Sequence, residues 1–322
     1  MTPNTLPSLF NPSNDMALAA NVRQYLPPKR IQQMEADLAD LAQVWDGTLF
    51  AGPWGWSLAT KQRYRRMGIA DDLLPSDEWI AELRRLSSRE FACRYIRRLL
   101  DELNDTRLLG HEMQWCERLD PTLLSSFPLI FKLPWSSSGR GVMVALTPSQ
   151  LSRLSALLSA PTGFLIDRFH TDKVLDFAME FFIHPDATVQ FLGYSVFQAS
   201  QRGAYGFNYV ESQDELLRRI IGDRDGDDGQ FRQTEELLDR LIAYHQEHLA
   251  QTAYRGPLGI DMLMTADGRI HPCLEINFRM NMGILALLLH DRHGSHATLQ
   301  LTPPRPNGFA ASVEDGKLLI TY

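Results

Sequence analysis

Apolar residues recur at helical spacing from about Ile31 to Val44, where Ile31, Met34, Leu38 and Leu41 fall on one face. Ahead of them, Leu9-Phe10 leads through Asn11-Pro12-Ser13-Asn14-Asp15 into the helix-forming run Met16-Ala17-Leu18-Ala19-Ala20. Behind them, Thr48-Leu49-Phe50-Ala51 reads as a short buried strand that stops at Gly52-Pro53. This rhythm predicts a small α/β unit over residues 1–76, with Ser76 capping the next helix. From Asp77 to Leu103 the period is helical again, with Ser87 or Ser88 as a cap midway. Further helices are expected over Ser149–Ser159 and Gln233–Ala250, with a strand-rich stretch from Gly163 to Val210 between them. Residues 77–322 then make a larger second unit.

Composition narrows the class. A chain of 322 residues that is 44% hydrophobic and 22% charged suits two soluble domains. Its 32 Lys+Arg against 39 Asp+Glu leave a net charge of −7, which argues against nucleic-acid or anionic-membrane partners. Three scattered cysteines, Cys93, Cys116 and Cys273, make no disulfide framework and suit a reducing compartment. The apolar run Ile284 to Leu289 is far shorter than the ~20 residues a membrane span needs. Met1 to Pro7 lacks the basic and apolar regions of a signal peptide, so a cytoplasmic location is expected.

Several chemistries lack their motifs. There is no G-x-G-x-x-G, no P-loop, no H-E-x-x-H and no G-x-S-x-G in the sequence. The acidic stretch Gly222 to Gly229 fails the EF-hand template, since Asp228 stands at its sixth position and Thr234 at its twelfth. His290, His293 and His296 have no acidic partner at ligand spacing and read as surface residues. Arg84, Arg85, Arg89, Arg94, Arg97 and Arg98 read mainly as a solvated helix face, with Arg98–Glu102 at i,i+4.

Three separated pieces do carry chemistry. In the first, strand Leu129 to Leu133 delivers Lys132 into the small-residue loop Ser136-Ser137-Ser138-Gly139-Arg140-Gly141, and Val142 to Leu146 returns as a strand. Backbone N–H groups of such a loop can nest an anion, with Lys132 and Arg140 beside it. In the second, Gly163 to Phe169 precedes a strand on which Asp176, Ala178 and Glu180 share one face and Phe177, Met179 and Phe181 the other. In the third, Gly259 to Met264 and Ile270 to Arg279 form a hairpin around Asp267-Gly268. Glu275 and Asn277 point the same way. A two-residue turn would pair Asp261 with Leu274, on the wrong face. A three-residue Ala266-Asp267-Gly268 loop would pair it with Cys273, on the face of Glu275. Oxygen ligands of this kind on one face suit Mg²⁺ with nucleotide phosphates.

In this order and spacing the three pieces resemble the ATP-grasp superfamily over roughly residues 87 to 290. The resemblance implies an α+β, ATP-grasp fold: two α+β subdomains, about 77–165 and 166–322, gripping the nucleotide behind a small α/β pre-ATP-grasp domain. It implies ATP and Mg²⁺ (or Mn²⁺) as cofactors. Lys132 would contact phosphate, and Ser136, Ser137, Ser138, Gly139, Arg140 and Gly141 would form a lid. Asp167, Arg168 and Phe169 would line the adenine, and Asp176 would take the ribose. Asp261, Glu275 and Asn277 would be metal ligands, with Arg279 beside the transferred phosphoryl or acyl group. Arg89 stands where the family often has a lysine; it supplies charge with a different geometry. The implied reaction is ATP-dependent joining of a carboxylate to an amine or thiol through an acyl phosphate. A kinase-like phosphotransferase and a nucleotide-binding module without turnover are the alternatives. Partners would be small molecules, with neither nucleic acid nor membrane, and a homodimer is compatible.

Overall fold

A computed structural model of the chain describes residues 6–118, 127–135, 141–150, 162–199, 205–222, 228–294, 296–302, 310–314 and 317–321. The lid residues 136–140, the acidic stretch 223–227 and most of the helix expected at 149–159 lie outside this set. So does the side chain of His293.

The chain begins with helices: α1 (Asn14–Ala20), α2 (Lys29–Asp37), a 3-10 turn (Ala39–Val44) and α3 (Leu58–Arg66). Among the described residues before Ser76 there is no strand; the β pairing there is a single parallel bridge between Leu9 and Pro53. The strand expected at Thr48 to Ala51 is instead a turn, which corrects the α/β reading of this part. Its cause is local: the Thr48 hydroxyl donates to Trp45 O (2.6 Å) and accepts from Phe50 N (3.1 Å), bonds that compete with a sheet ladder. The single helix expected at 31–44 tightens at Leu38, and Leu38, Leu41, Ala42 and Trp45 pack into one cluster with Phe10 and Trp54.

Two helices follow, the first started by Ser76 as expected and the second by Ser88, one of the two serines expected there. Ser76 accepts from Trp79 N at the head of α4 (Asp77–Leu86), and Ser88 from Phe91 N at the head of α5 (Arg89–Leu103). Arg98 pairs with Glu102 at 2.6 Å on the solvent side of α5, and Arg97 is exposed.

Two sheets organise the rest, giving the α+β class. β1 (Gln114–Cys116), β2 (Leu129–Lys132), β3 (Val142–Ala145) and β4 (Phe164–Arg168) form a four-stranded antiparallel sheet in the order β1-β4-β2-β3. The second sheet holds β5 (Lys173–Ile183), β6 (Val189–Ala199), β7 (Tyr205–Val210), β8 (Gly256–Thr265), β9 (Ile270–Asn277), β10 (Ala297–Thr302), β11 (Ala310–Glu314) and β12 (Lys317–Thr321). Its order is β11-β12-β10-β7-β6-β5-β8-β9, with β9 at an edge. Three helices accompany it: α6 (Gln213–Ile221), α7 (Asp228–Ala250) and α8 (Met282–His293). No helix among the described residues is long and apolar enough to cross a membrane.

Alternation along β5 and β8 separates the faces. Phe177, Met179, Ile260, Met262 and Ile276 enter the main core with Ile96 and Leu99 of α5 and Leu238 and Leu241 of α7. The opposite face carries the polar residues and receives α8, whose Ile284, Leu285 and Leu289 join the Trp45–Trp54 cluster. This is how the N-terminal helices come to lie beside the polar end of the sheet.

Candidate active site

The β8–β9 hairpin closes with the three-residue loop: Thr265 N donates to Arg269 O (3.0 Å), and Gly268 takes the left-handed conformation at φ 79°. Asp267 braces it, accepting from Thr265 Oγ1 at 2.6 Å and Arg269 Nε at 2.7 Å. That register by itself would carry Asp261 to Cys273. Farther along, however, Pro272 to Leu274 oppose the single residue Met262, and Asp261 faces Glu275 directly. Pro272 lies inside this irregularity and has no N–H to give the ladder. Because the slip is an even number of residues, the face is kept. Asn277 opposes Gly259, and on the other side of β8, Ala178 opposes Asp261 and Glu180 opposes Gly259. Asp261, Glu275, Asn277, Asp176 and Glu180 therefore share one sheet face.

Burial on this face shows in the protonation of two of its carboxylates, Asp261 and Glu180. Burial, with Glu275 and Glu180 nearby, pushes Asp261 up to about 8, against the opposing pull of Arg279 and Asn277. Glu180 is 1% exposed, and burial raises it to about 7 although Asn281 and Ser195 bond to it. Asn277 Nδ2 donates to Asp261 Oδ2 at 3.1 Å.

Two cations come from the other sheet's side. Arg89, the first residue of α5, is 3% exposed; its Nη2 donates to Glu275 Oε2 at 2.8 Å and its Nη1 to Leu133 O at 2.7 Å. Lys132, the last residue of β2, is 8% exposed, and no side-chain hydrogen bond holds its ammonium among the described residues. Burial and the neighbouring Arg89 lower its pKa, while Asp167, Glu275 and Asp261 pull it back up. Arg279 follows Asn277 at the end of β9. Its Nε and Nη2 grip Asp15 of α1 at 2.8 and 2.7 Å, and Nη2 also donates to Asn277 Oδ1 at 2.9 Å. Asn14, Asp15, Trp135, Glu275, Asn277 and Arg279 line a cleft at this point.

The residues expected around the base and sugar lie at the end of β4, just after it, and on β5. Asp167 is 1% exposed and accepts from His271 Nε2 at 3.0 Å. Burial alone would raise Asp167, but His271 and Lys132 outweigh it and hold the carboxyl below its usual value. Arg168 is exposed, Phe169 is half-buried with its N–H on Pro128 O (2.9 Å), and Asp176 is engaged by Lys173 at 2.5 Å. Gly141, the described end of the expected lid, has φ 68°, and its carbonyl accepts from Leu133 N (2.9 Å). His296 is exposed and pairs with Glu215 at 2.9 Å, as a surface histidine should. Sequence reasoning passed over Asp15 and His271, and noted Glu180 as one of two carboxylates on a strand face without choosing it. Only Glu180 left a signal, its shared face with Asp176.

The donor set can be tested against Mg²⁺. Among the described residues no three His, Cys, Asp or Glu side chains gather as metal ligands. The set here is two carboxylates and an amide. Mg²⁺ keeps several waters and is held by one or two carboxylates plus substrate phosphates, so this set fits. Burial and the Glu275 charge disfavour ionisation of Asp261, and a divalent cation beside it would offset both.

The Arg89 contact leads to a prediction. Arg89→Ala would leave Glu275 without its buried cation, and ATP affinity measured by calorimetry is expected to fall at least ~10-fold. Arg97→Ala, on the exposed side of α5, should change it by less than about 0.5 kcal/mol. Equal losses would mean that only bulk charge matters.

The sequence matches no protein-family model and no curated protein. Solved structures similar to it include an L-amino acid ligase from Bacillus licheniformis, at 12% identity and TM-score 0.46, covering 81% of this chain and 61% of that one. An N5-carboxyaminoimidazole synthetase from Staphylococcus aureus complexed with ADP is similar at 11% identity and TM-score 0.43, covering 63% of this chain and 52% of that one. A carboxyaminoimidazole ribonucleotide synthase from Aspergillus clavatus complexed with ATP is similar at 14% and 0.45, covering 73% and 59%. The chain thus spans about half the length of the first of these synthetases.

Proposed function

We propose that this chain is an ATP-dependent ligase of the ATP-grasp kind, which activates a substrate carboxylate as an acyl phosphate and joins it to an amine or thiol. One observation supports this reading above others: Asp261, Glu275 and Asn277 share a sheet face whose rim also carries Lys132, Arg89 and Arg279. Phosphoryl transfer asks mainly for positioning and charge neutralisation, and this rim offers both. Lys132, a buried cation close to Asp261 and Glu275, is suited to a phosphate oxygen. Asp261, Glu275 and Asn277 would hold Mg²⁺, which when bound supplies charge neutralisation to the phosphates. Arg89 keeps Glu275 aimed, and Arg279 stands where charge would build on the reacting group. Asp167, Phe169 and Asp176 remain the residues assigned to the nucleoside.

The test is a screen of amino acids and small acids for Mg²⁺-dependent ADP release, followed by product analysis. A ligase gives ADP, free phosphate and an amide or thioester. A phosphorylated product would identify a phosphotransferase instead, and absence of ADP with every substrate would reject the proposal.

The raised pKa of Asp261 gives a pH prediction. Folded Asp261 titrates near 8 against an ordinary value of 3.8, so the folded protein holds a proton that the unfolded chain releases. Without cation, stability should therefore fall as pH rises from about 4 toward 8. Mg²⁺ needs the carboxylate, so its stabilising effect should grow over the same range with proton release. Thermal melts from pH 5 to 8.5, with and without Mg²⁺, check both signs; a Mg²⁺ effect that shrinks with pH would contradict the assignment.

A further inference from the structure

The arginine at the end of β9 is held from a distance of 264 residues along the chain. Asp15 accepts from both Nε and Nη2 of Arg279, in the two-pronged geometry that a guanidinium offers a carboxylate. Nη2 also donates to Asn277 Oδ1 and Nη1 to Met280 O (3.0 Å). A guanidinium has five N–H groups, so these four bonds leave one, on Nη1, without a protein partner among the described residues. Both side chains are mostly covered, at 15% and 16% exposure.

Asp15 sits on a platform anchored elsewhere. Asn11 Nδ2 donates to Gly55 O (2.9 Å) and to Thr60 Oγ1 (3.0 Å). The amide of Asn14 lies against Gly55 so closely that a Cβ there would meet Asn14 Nδ2 at 2.4 Å. At the other end of α1, Arg84 donates to Leu18 O (2.7 Å) and Ala19 O (3.3 Å) while stacking over Trp135. The turn that bears Arg279 is tied down beside it, Met280 N donating to Trp54 O (2.9 Å) and Asn281 Nδ2 to Glu180 Oε2 (2.7 Å). Arg279 is the member of this turn whose long side chain needs an external partner to hold one direction.

We propose that Asp15 is a positioning residue for the reaction: from a helix fixed independently of the site, it orients the Arg279 guanidinium and leaves a single N–H of Nη1 for the reacting anionic group. This inference rests on the ligase reading for what Arg279 does, and on the hydrogen bonds alone for how it is held. The N-terminal segment is on this view part of the active site.

The experiment compares Asp15→Asn, Asp15→Glu and Arg279→Lys with the unsubstituted protein, and uses Asp71→Asn as the control that removes an exposed ion pair with Arg65. Two quantities are read: kcat and KM for ATP in Mg²⁺-dependent ADP release, and backbone hydrogen exchange at residues 279–281. Asp15→Asn should lower kcat at least ~10-fold with KM for ATP within about two-fold, and speed exchange at 279–281, effects of positioning lost without binding lost. Asp15→Glu, which keeps the charge, should recover part of kcat. Arg279→Lys should leave exchange at 14–20 unchanged, because α1 is held by Asn11 and Arg84; faster exchange there would show that the arginine holds the helix, and would overturn the proposal. Unchanged kcat and unchanged exchange in Asp15→Asn would overturn it as well. Should the wild-type protein release no ADP with any substrate, the ligase reading fails, while the exchange results still decide whether Asp15 holds the turn.

Discussion

Glu275→Gln is expected to lower Mg²⁺-dependent ADP release at least ~100-fold, the scale seen when a preorganised electrostatic group is removed from a reacting centre. The substitution keeps the shape of the side chain and lets Arg89 Nη2 keep an oxygen acceptor at the position now 2.8 Å away. It removes the carboxylate directly opposite Asp261, and with it one of the two anionic ligands proposed for Mg²⁺. A second consequence distinguishes this from simple damage. After burial itself, the Glu275 charge is what most opposes ionisation of Asp261, so Asp261 should titrate lower in the variant. The pH at which Mg²⁺ begins to stabilise the protein should then move down even as turnover is lost. Asp267→Ala is the companion variant. It cuts the bonds to Thr265 and Arg269 that brace the loop, and should lower stability more than rate. Near-normal ADP release from Glu275→Gln would remove the metal assignment.

Lys132→Met is expected to weaken ATP binding by about 1.5–3 kcal/mol, roughly ten- to hundred-fold, the range for a hydrogen bond to a charged group. Methionine approximates the lysine stem and fills the same buried place on β2, so loss of packing is kept small. The protein without nucleotide should change little in stability, since losing the buried ammonium relieves its desolvation and its repulsion from Arg89 but also removes its attraction to Asp167, Glu275 and Asp261. A variant that melts normally yet binds ATP weakly is therefore the expected pair of results. Calorimetry that finds unchanged ATP affinity would sink the assignment of Lys132 to phosphate.

Local signals in the chain were enough for much of the architecture. Helix starts at Ser76 and at the Ser87-Ser88 pair were legible because an N-cap bond spans only three residues, while Ser88 was fixed by the structure. The β8–β9 hairpin was legible because Asp267-Gly268 interrupts two runs of β-forming residues, and the odd-length loop was one of two countable options. The common face of Glu275 and Asn277 follows from the two-residue period of a strand. Local reasoning failed at Thr48 to Ala51, whose apolar run reads as strand while the Thr48 hydroxyl takes up the neighbouring backbone groups.

What the sequence determined by itself, then, was the set of elements and which chemical groups each could present, because those depend on neighbours a few residues apart. Tertiary structure alone decided which groups meet. The irregularity at Pro272 placed Asp261 opposite Glu275, and the pairing of β5 with β8 brought Glu180 to the same face. Packing of α5 against β9 set Arg89 on Glu275, and the seating of α8 on the N-terminal cluster brought Asp15 to Arg279. Contacts of this kind join residues tens to hundreds of positions apart, and no local preference of either partner encodes them; they exist because burying the apolar faces of both sheets leaves the polar groups only one place to converge.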